Sequence, residues 1–425
     1  MYIPHSNISK KTSARILFRR LFVGIFSLLS FNICAQATQE PKVFEWIMHK
    51  PLLIQLDSIV KNSKSYALRE SDYNTVLLKK AINEPASFKS YKDSLAAEVA
   101  IAKVASNFFS HLANGNKYPA LAYQGVKFKA SLIDVSSLIK KYLVNTQLHQ
   151  LVELLNKKSI EVKTILDTLH KYQDVASKNQ EKIRLLTKAA NEYRWLAAIK
   201  EKQQIVLVNI PSAQLKVYEG DKIKLEMRLI LGKKSTPTKT LSTYIKQVTI
   251  NPYWTVPMSI IINEMLPKIK TDIDYLSRNH LEVLNSNYKP LNPYQINWHN
   301  IDLVNFPYII RQSTGCENSL GILKLEFDSP FAIFLHDTPE KKLFAYKNRF
   351  YSHGCMRMEK PVEMGRLLLE DNLKAIDSID LTKCYLNPKP IYIPLSKKIP
   401  LIVWYSQVDF DSNNNLLFYK NVYNR

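Results

Sequence analysis

The stretch that decides the fold runs from residue 205 to residue 229 and reads IVLVNIPSAQLKVYEGDKIKLEMRL. Three β-type runs, at 205–210, 215–218 and 225–229, are separated by turn residues. The third run alternates apolar and polar side chains, which is typical of a strand with one buried face. The stretch therefore predicts consecutive strands joined by short turns.

The residue patterns before and after this stretch differ. Downstream, further strand-like runs follow at 247–251, 308–312, 331–335 and 399–408, and an Asn triplet at 413–415 predicts a hairpin turn. Upstream, apolar residues recur at helical spacing through 94–111, 132–172 and 178–200, and four prolines fall in 38–200 against fifteen after 200. The sequence predicts an α+β protein with a helical N-terminal domain followed by a β-rich C-terminal domain.

Two segments allow more detailed predictions, one about a helix face and one about an interruption of the strands. The first helical segment places its apolar stripe on Leu95, Val99, Ala102, Ala105 and Phe109. The region 256–300 interrupts the strands with helical pieces around 260–266 and 273–278. We expect this interruption to cover a site on the sheet.

The composition excludes several classes of function. Only 9 of 425 residues are glycine, and no GxGxxG or GxxxxGK[ST] loop is present, so a Rossmann or P-loop nucleotide site is not expected. The excess of 59 Lys and Arg over 37 Asp and Glu gives a net charge of +22. Such a charge suits nucleic acid, anionic lipid or an acidic polymer such as a bacterial wall.

The N-terminus indicates export, which selects among these partners. Five basic residues precede an apolar run at 21–33, and Ala35-Gln36-Ala37 resembles a cleavage site. We expect residues 1–37 to be a signal peptide and the mature protein to act in the periplasm or cell envelope rather than on nucleic acid. An uncleaved membrane anchor is one alternative, and lipidation at Cys34 is another.

The chemistry concentrates in the segment YSHGCMR at 351–357. Cys355 is a candidate nucleophile, and His336, at the end of an apolar run, is a candidate general base. Gly354 allows a tight turn, so that the N–H groups of Gly354 and Cys355 could stabilise an oxyanion. Arg357 is placed to hold a substrate carboxylate.

The alternative is that these residues are structural. A lone cysteine is usually buried in a core, and a lone histidine is usually a satisfied core or surface residue. The sequence contains no CxxC or HxxxH pattern, so we expect no metal and no cofactor. After signal cleavage three cysteines remain, and Cys316 could pair with Cys384 or be a spectator.

The motif resembles that of a known family. His336 followed by Ser352-His353-Gly354-Cys355-Met356-Arg357 is similar to the signature of L,D-transpeptidases of the YkuD/ErfK superfamily. Further similarity to the longer periplasmic members of the YcbB type lies in five segments: FLHDTP at 334–339, NPYWTVP at 251–257, LPK at 266–268, NEYRW at 191–195, and Gly315 with NSLG at 318–321.

The resemblance implies both an architecture and a set of roles. It implies a scaffold domain at 38–200, a catalytic domain at 203–425 and a lid at about 256–300. It implies that Cys355 attacks a peptidoglycan stem peptide with His336 as base. Oxyanion or orienting roles are implied for His353, Gly354 and Ser352, and substrate contacts for Arg357, Asn318 and Trp254.

The sequence does not identify the acceptor of the acyl group. The resemblance implies 3→3 cross-linking, but water, a free D-amino acid or a lipoprotein could also receive the acyl group. A non-catalytic wall-binding scaffold is a different class of function. The region 172–188 is too short for a separate peptidoglycan-binding module, and nothing in the sequence sets the oligomeric state.

Overall fold

The structure is a computed structural model that describes residues 45–128, 132–301, 306–370, 373–377, 383–385 and 387–425. Within this part of the chain the residues group into one compact unit, Phe44–Arg425. The expected signal peptide at 1–37 and Cys34 lie outside the described residues. Among the helices that are described, none combines the length and the hydropathy needed to cross a membrane.

The part before residue 203 is helical, as predicted. Its described α-helices are α1 (Lys50–Lys61), α2 (Thr75–Asn83), α3 (Tyr91–Asn114), α4 (Ser136–Leu143), α5 (Leu148–Lys157), α6 (Ile160–Gln173) and α7 (Ala176–Lys200). At the start of α3 the Ser90 and Asp93 side chains each bond the other's backbone N–H, forming a capping box. The helix ends at Gly115, which has a φ of +76°.

The buried stripe of α3 is rotated from the one predicted. Val99 is 60% exposed, whereas Ile101, Phe108 and Leu112 are completely buried. The helix carries two apolar stripes, and the one with the larger side chains faces the other helices because it removes more apolar surface from water. The predicted stripe was therefore wrong at Val99, although Phe109 is buried.

The C-terminal part is built on a ten-stranded sheet, to which the part before residue 203 contributes one short strand, β1. Its strands are β1 (Tyr123–Gln124), β2 (Ile205–Asn209), β3 (Gln214–Glu219), β4 (Lys222–Gly232), β5 (Leu241–Ile250), β9 (Leu323–Phe327), β10 (Leu335–His336), β11 (Phe350–Ser352), β12 (Met356–Met358) and β13 (Ile391–Trp404). The order is β1-β5-β13-β2-β3-β4-β12-β10-β9, with β11 on β4 and β9 pairing back to β5. This last pairing closes the sheet on itself.

Strand β2 shows how the sheet joins the helices. All five of its residues are buried. Alternate side chains face opposite sides of the sheet, and both sides are covered by apolar clusters. Val206 and Val208 belong to the apolar core inside the closed sheet. Ile205 and Leu207 pack instead in a cluster that contains Leu196 of α7. The two predicted domains therefore share a hydrophobic core.

A buried carboxylate reinforces this junction. Asp409 accepts hydrogen bonds from Lys216 at 3.0 Å, Asn209 at 2.8 Å and Ser212 at 2.7 Å. Tyr193 of α7 also donates to it, at 3.2 Å. Because a buried charge is tolerated only when it is paired and hydrogen-bonded, this network fixes α7 against the sheet.

The predicted lid differs from the observed insertion. A three-stranded sheet of β6 (Trp254–Thr255), β7 (Leu281–Leu284) and β8 (Ile309–Gln312) encloses it. Between these strands lie α8 (Met258–Ile260), a π-helical turn (Ile261–Met265), α9 (Leu266–Thr271) and α10 (Tyr275–Arg278). These elements form their own apolar cluster. We call residues 254–312 the insertion. It is wider than the predicted lid at 256–300 and is partly strand. A segment that leaves a sheet and returns to it closes most simply when its two ends pair, which explains the strands.

Two smaller expectations have different outcomes. The run 331–335 is not a strand apart from its last residue, because Ile333 turns locally to bond Phe331 and only Leu335 and His336 enter the sheet. The Asn triplet does form a hairpin turn, between β14 (Val408–Phe410) and β15 (Leu416–Phe418). Two short helices, α11 (Pro361–Leu368) and α12 (Lys374–Asp377), complete the described elements and contribute to the core inside the sheet.

Candidate active site

Pairing of β10 with β12 brings the predicted nucleophile and base to one face of the sheet. In this parallel pair Leu335 lies opposite Met356 and His336 lies opposite Arg357. Leu335 and Met356 are completely buried in the core. Because side chains alternate along a strand, the flanking residues point the other way. His336, Arg357 and Cys355 accordingly all line one cavity.

This cavity lies between the sheet and the insertion. Its volume is about 620 Å³, within the range of small-molecule sites. Trp254, Glu264 and Lys268 line it from the insertion, and Lys239 lines it from the loop between β4 and β5. Charged and aromatic groups thus surround the thiol on several sides.

His336 is held as a neutral imidazole. The side chain is 3% exposed, and its Nδ1–H donates to the backbone carbonyl of Asp337. Burial, and then the positive charge of Arg357, lower the pKa of His336 to about 3. With Nδ1 donating to a carbonyl, Nε2 is left without a proton and can accept one.

Cys355 is a free thiol whose pKa is raised by burial. The backbone N–H of Phe334 and the charges of Arg357 and Lys324 offset part of this effect by favouring the thiolate. The resting pair is therefore a thiol and a neutral imidazole rather than an ion pair. Proton transfer from sulfur to nitrogen would accompany attack on a substrate.

The turn before Cys355 is fixed by Ser352. Its hydroxyl donates to the carbonyl of Cys355 at 2.6 Å and accepts from the N–H of Gly354 at 3.1 Å. The N–H of Gly354 therefore already has an acceptor in this conformation, and its oxyanion role stays a prediction. For the N–H of Cys355 no acceptor is found among the described residues, so this group can donate to an oxyanion.

Side chains from distant segments support this turn. Thr238 donates to the carbonyl of Gly354 at 3.0 Å, and Thr236 donates to the carbonyl of Ser352 at 3.1 Å. Near the C-terminus, Tyr423 donates to the carbonyl of Gly232 at 2.6 Å. These residues could not be identified from the sequence, since no local pattern marks a threonine that bonds a segment more than 100 residues away.

Comparison with known protein families agrees with this geometry. Residues 203–371 match the YkuD family, described as the L,D-transpeptidase catalytic domain. Residues 45–169 match the Scaffold domain family.

The chain carries a YkuD domain.

Individual relatives cover only part of the chain. A Haemophilus influenzae protein named "Putative L,D-transpeptidase" is 37% identical over 166 residues, which are 39% of this chain and 34% of that protein. The chain thus matches about a third of the length of this curated relative. A structure of an L,D-transpeptidase from Mycobacterium smegmatis is 13% identical, with 47% of this chain and 58% of that one covered and a TM-score of 0.23.

A second solved structure gives a similar result. The catalytic domain of the E. faecium L,D-transpeptidase is 13% identical, with 48% of this chain and 97% of that one covered and a TM-score of 0.20.

The second histidine of the YkuD motif, His353, contacts the insertion. The Nε2 of His353 lies 2.6 Å from the Oε1 of Glu264, which belongs to the insertion. The ring is partly exposed and joins the insertion to the residue two positions before the nucleophile. The side chain thus contacts the insertion and also lines the cavity that contains Cys355, and its oxyanion or orienting role stays a prediction.

Of the three residues expected to contact substrate, two line the cavity of the YkuD domain. Arg357 and Trp254 do so, whereas Asn318 does not. Asn318 is 2% exposed, and its amide is used within its own loop, donating to Ser313 at 2.7 Å and accepting from Leu320 at 2.8 Å. In this structure the Asn318 side chain holds its own loop, and its contact with substrate stays a prediction.

The same loop is fixed by a disulfide bond. Cys316 is bonded to Cys384, which leaves Cys355 as the free cysteine among the described residues. A hydrogen bond of 2.7 Å from Thr314 to the carbonyl of Pro388 lies beside it. Of the alternatives left open by the sequence, pairing is the one observed. In the described part of the YkuD domain no group of three His, Cys, Asp or Glu side chains could hold a metal ion.

Proposed function

We propose that this protein is a peptidoglycan L,D-transpeptidase that forms 3→3 cross-links through an acyl group on Cys355. The observation that carries the proposal is the shared face of Cys355 and His336 in the cavity beneath the insertion. The YkuD match over 203–371 supports the same reaction class.

Acylation follows from the protonation states of the pair. The thiol proton of Cys355 passes to Nε2 of His336 as sulfur attacks the carbonyl carbon of the third stem residue. The N–H of Cys355 donates to the resulting oxyanion. Because burial opposes a charged imidazole at His336, the proton moves on to the amine of the departing D-alanine. The C–N bond breaks, and a thioester remains.

The charge of the cavity suits an anionic donor. Arg357, Lys239 and Lys268 line it. A tetrapeptide stem carries carboxylates, which guanidinium and ammonium groups bind by charge-assisted hydrogen bonds. Arg357 would hold a stem carboxylate, and Trp254 would supply an apolar wall. The chain's net charge of +22 favours the same anionic polymer at longer range.

We also propose a role for each segment of the chain. Residues 1–37 act as an export signal that places the protein in the periplasm or cell envelope. Residues 38–200 form the scaffold, and 203–425 form the catalytic domain with a lid over the donor site. Support comes from the helical region before residue 203, the Scaffold match at 45–169 and the position of the insertion over the cavity.

Product analysis tests this proposal. Purified protein is incubated with a disaccharide-tetrapeptide, and released D-alanine and cross-linked dimers are measured by mass spectrometry. We expect both products from the native protein and neither from Cys355→Ala. Hydrolysed tripeptide without dimers would indicate an L,D-carboxypeptidase, and dimers that persist in Cys355→Ala would contradict the proposal.

A further inference from the structure

The insertion contributes one carboxylate to a cavity that is otherwise cationic. Glu264 lies in the π-helical turn Ile261–Met265, and among the described residues that line the cavity it alone is acidic. The cations around it are Lys239, Lys268 and Arg357. A single negative group in such surroundings is not needed for binding an anionic donor, which it would repel.

The position of Glu264 relates it to the second half of the reaction. Its Oε1 lies 2.6 Å from Nε2 of His353, two residues before the nucleophile. Glu264, His353 and Cys355 line the same cavity, so the carboxylate faces the space in which a thioester on Cys355 would form. Its second oxygen, Oε2, accepts no hydrogen bond from the described residues, and the side chain is 43% exposed, so Oε2 can accept one more donor.

We infer that Glu264 binds the ammonium group of the acceptor and thereby favours attack by an amine over attack by water. This inference rests on the proposed function and names the recognition element for its second substrate. A carboxylate beside the thioester raises the local concentration of a cation and does nothing for neutral water. Glu264 is a specificity-determining residue in this account.

In the aminolysis step every proton and bond is accounted for by the acceptor, Cys355, His336 and solvent. The bound ammonium loses one proton to solvent and becomes a nucleophilic amine. Its nitrogen attacks the thioester carbon, and the C–N bond forms as the C–S bond breaks. His336 takes the second proton from nitrogen and returns it to the sulfur of Cys355. The products are an amide and the free thiol.

The test separates charge from geometry. In Glu264→Gln an amide oxygen still faces His353 while the negative charge is removed. The donor is a tetrapeptide whose side-chain amine is acetylated, so that it cannot accept, and the acceptor is a stem peptide with a free amine. D-Alanine release reports acylation, and the ratio of dimer to hydrolysed tripeptide reports the choice of acceptor.

A matched control is available where the insertion meets the loop that follows it. His280 and Glu317 form a second histidine–glutamate contact, at 2.9 Å, and neither residue lines the cavity. We expect Glu317→Gln to behave like the native protein. In Glu264→Gln we expect the dimer-to-hydrolysis ratio to fall about tenfold, with D-alanine release within about twofold of native, as loss of one charged hydrogen bond implies.

A neutral nucleophile completes the design. Hydroxylamine is uncharged at pH 7.5, so its attack on the thioester should be equal in Glu264→Gln and the native protein. An equal loss with hydroxylamine would show that the variant damages geometry, and would overturn the inference. So would an unchanged dimer-to-hydrolysis ratio. Absence of D-alanine release from the native protein itself would instead overturn the proposed function and this inference together.

Discussion

His336 lies directly opposite Arg357 across the parallel pair of β10 and β12, and both side chains line the cavity that contains Cys355. The base and a permanent cation are therefore neighbours on one sheet face. Burial, and then the charge of Arg357, lower the pKa of the His336 imidazole. Burial raises the pKa of the Cys355 thiol, and the charge of Arg357 offsets part of that rise. Arg357 therefore helps burial to keep the imidazole neutral, and it makes the thiol easier to ionise.

Arg357→Gln should shift the pH dependence of the thiol. Burial raises the pKa of the Cys355 thiol, and the positive charge of Arg357 offsets part of that rise. Without this charge the pKa of Cys355 rises further above that of an ordinary cysteine. We expect iodoacetamide alkylation of Cys355, followed by peptide mass mapping, to reach half its maximal rate at a higher pH than in the native protein. Loss of a charged contact to substrate should also lower kcat/KM about tenfold to a hundredfold. An unchanged alkylation profile would contradict this role.

His336 should make stability fall in mild acid. The folded pKa is about 3, and burial is the main cause. An unfolded histidine titrates near 6.5, so between about pH 6.5 and pH 3 the unfolded chain binds one more proton. The contribution of His336 to the free energy of unfolding is therefore fully present above about pH 6.5. It decreases as pH falls, by at most about 1.4 kcal/mol per pH unit.

Urea unfolding between pH 7 and pH 4 measures this slope. In His336→Gln the decrease in unfolding free energy should be shallower, because the titrating group is gone. His280→Gln removes a half-exposed histidine outside the cavity and serves as the matched variant. Equal slopes in all three proteins would show that His336 is not held neutral by the fold.

Gly354→Ala should impair both the site and the fold. Gly354 has a φ of +112°, and an added Cβ would lie 3.2 Å from Cγ2 of Ile333. Gly220 also has a positive φ, +58°, but a Cβ there meets nothing within 4 Å. Gly220→Ala therefore measures the backbone cost alone, about 1 kcal/mol.

We expect Gly354→Ala to lower the unfolding free energy by about 1–3 kcal/mol, as backbone strain of this kind implies, and to lower transpeptidase activity at least tenfold. Gly220→Ala should keep native activity. Activity of Gly354→Ala within twofold of native would show that the turn before Cys355 tolerates a side chain.

Reduction of the Cys316–Cys384 bond should destabilise the protein. The bond closes 68 residues of chain, and loop entropy for that length corresponds to about 4 kcal/mol. We expect Cys316→Ser/Cys384→Ser to lower the thermal midpoint and to be insensitive to dithiothreitol. A native protein whose midpoint is unchanged by dithiothreitol would contradict a structural role for this bond.

The sequence predicted those parts of the site that lie in one local segment. Cys355, Gly354 and Ser352 stand within four residues, and the chemistry of that run is visible without a fold. His336 was identified because it ends an apolar run. The helical region before residue 203 and the strands after it also followed from periodicity.

What the sequence could not supply depends on contacts between distant segments. The pairing of His353 with Glu264 joins residues 89 apart, and that of Thr238 with Gly354 joins residues 116 apart. The use of the Gly354 N–H by Ser352 is a matter of backbone geometry. Asn318 has the chemistry of a substrate contact, but burial within its own loop removes it from the cavity.

The nucleophilic role of Cys355 is the central claim, and intact-protein mass spectrometry tests it most directly. The native protein, Cys355→Ala and Cys316→Ser/Cys384→Ser are each treated with a carbapenem, and any adduct is located by peptide mapping. We expect one acyl adduct on Cys355 in the native protein and in the double serine variant, and none in Cys355→Ala. An adduct on another residue, or one that survives in Cys355→Ala, would contradict the account.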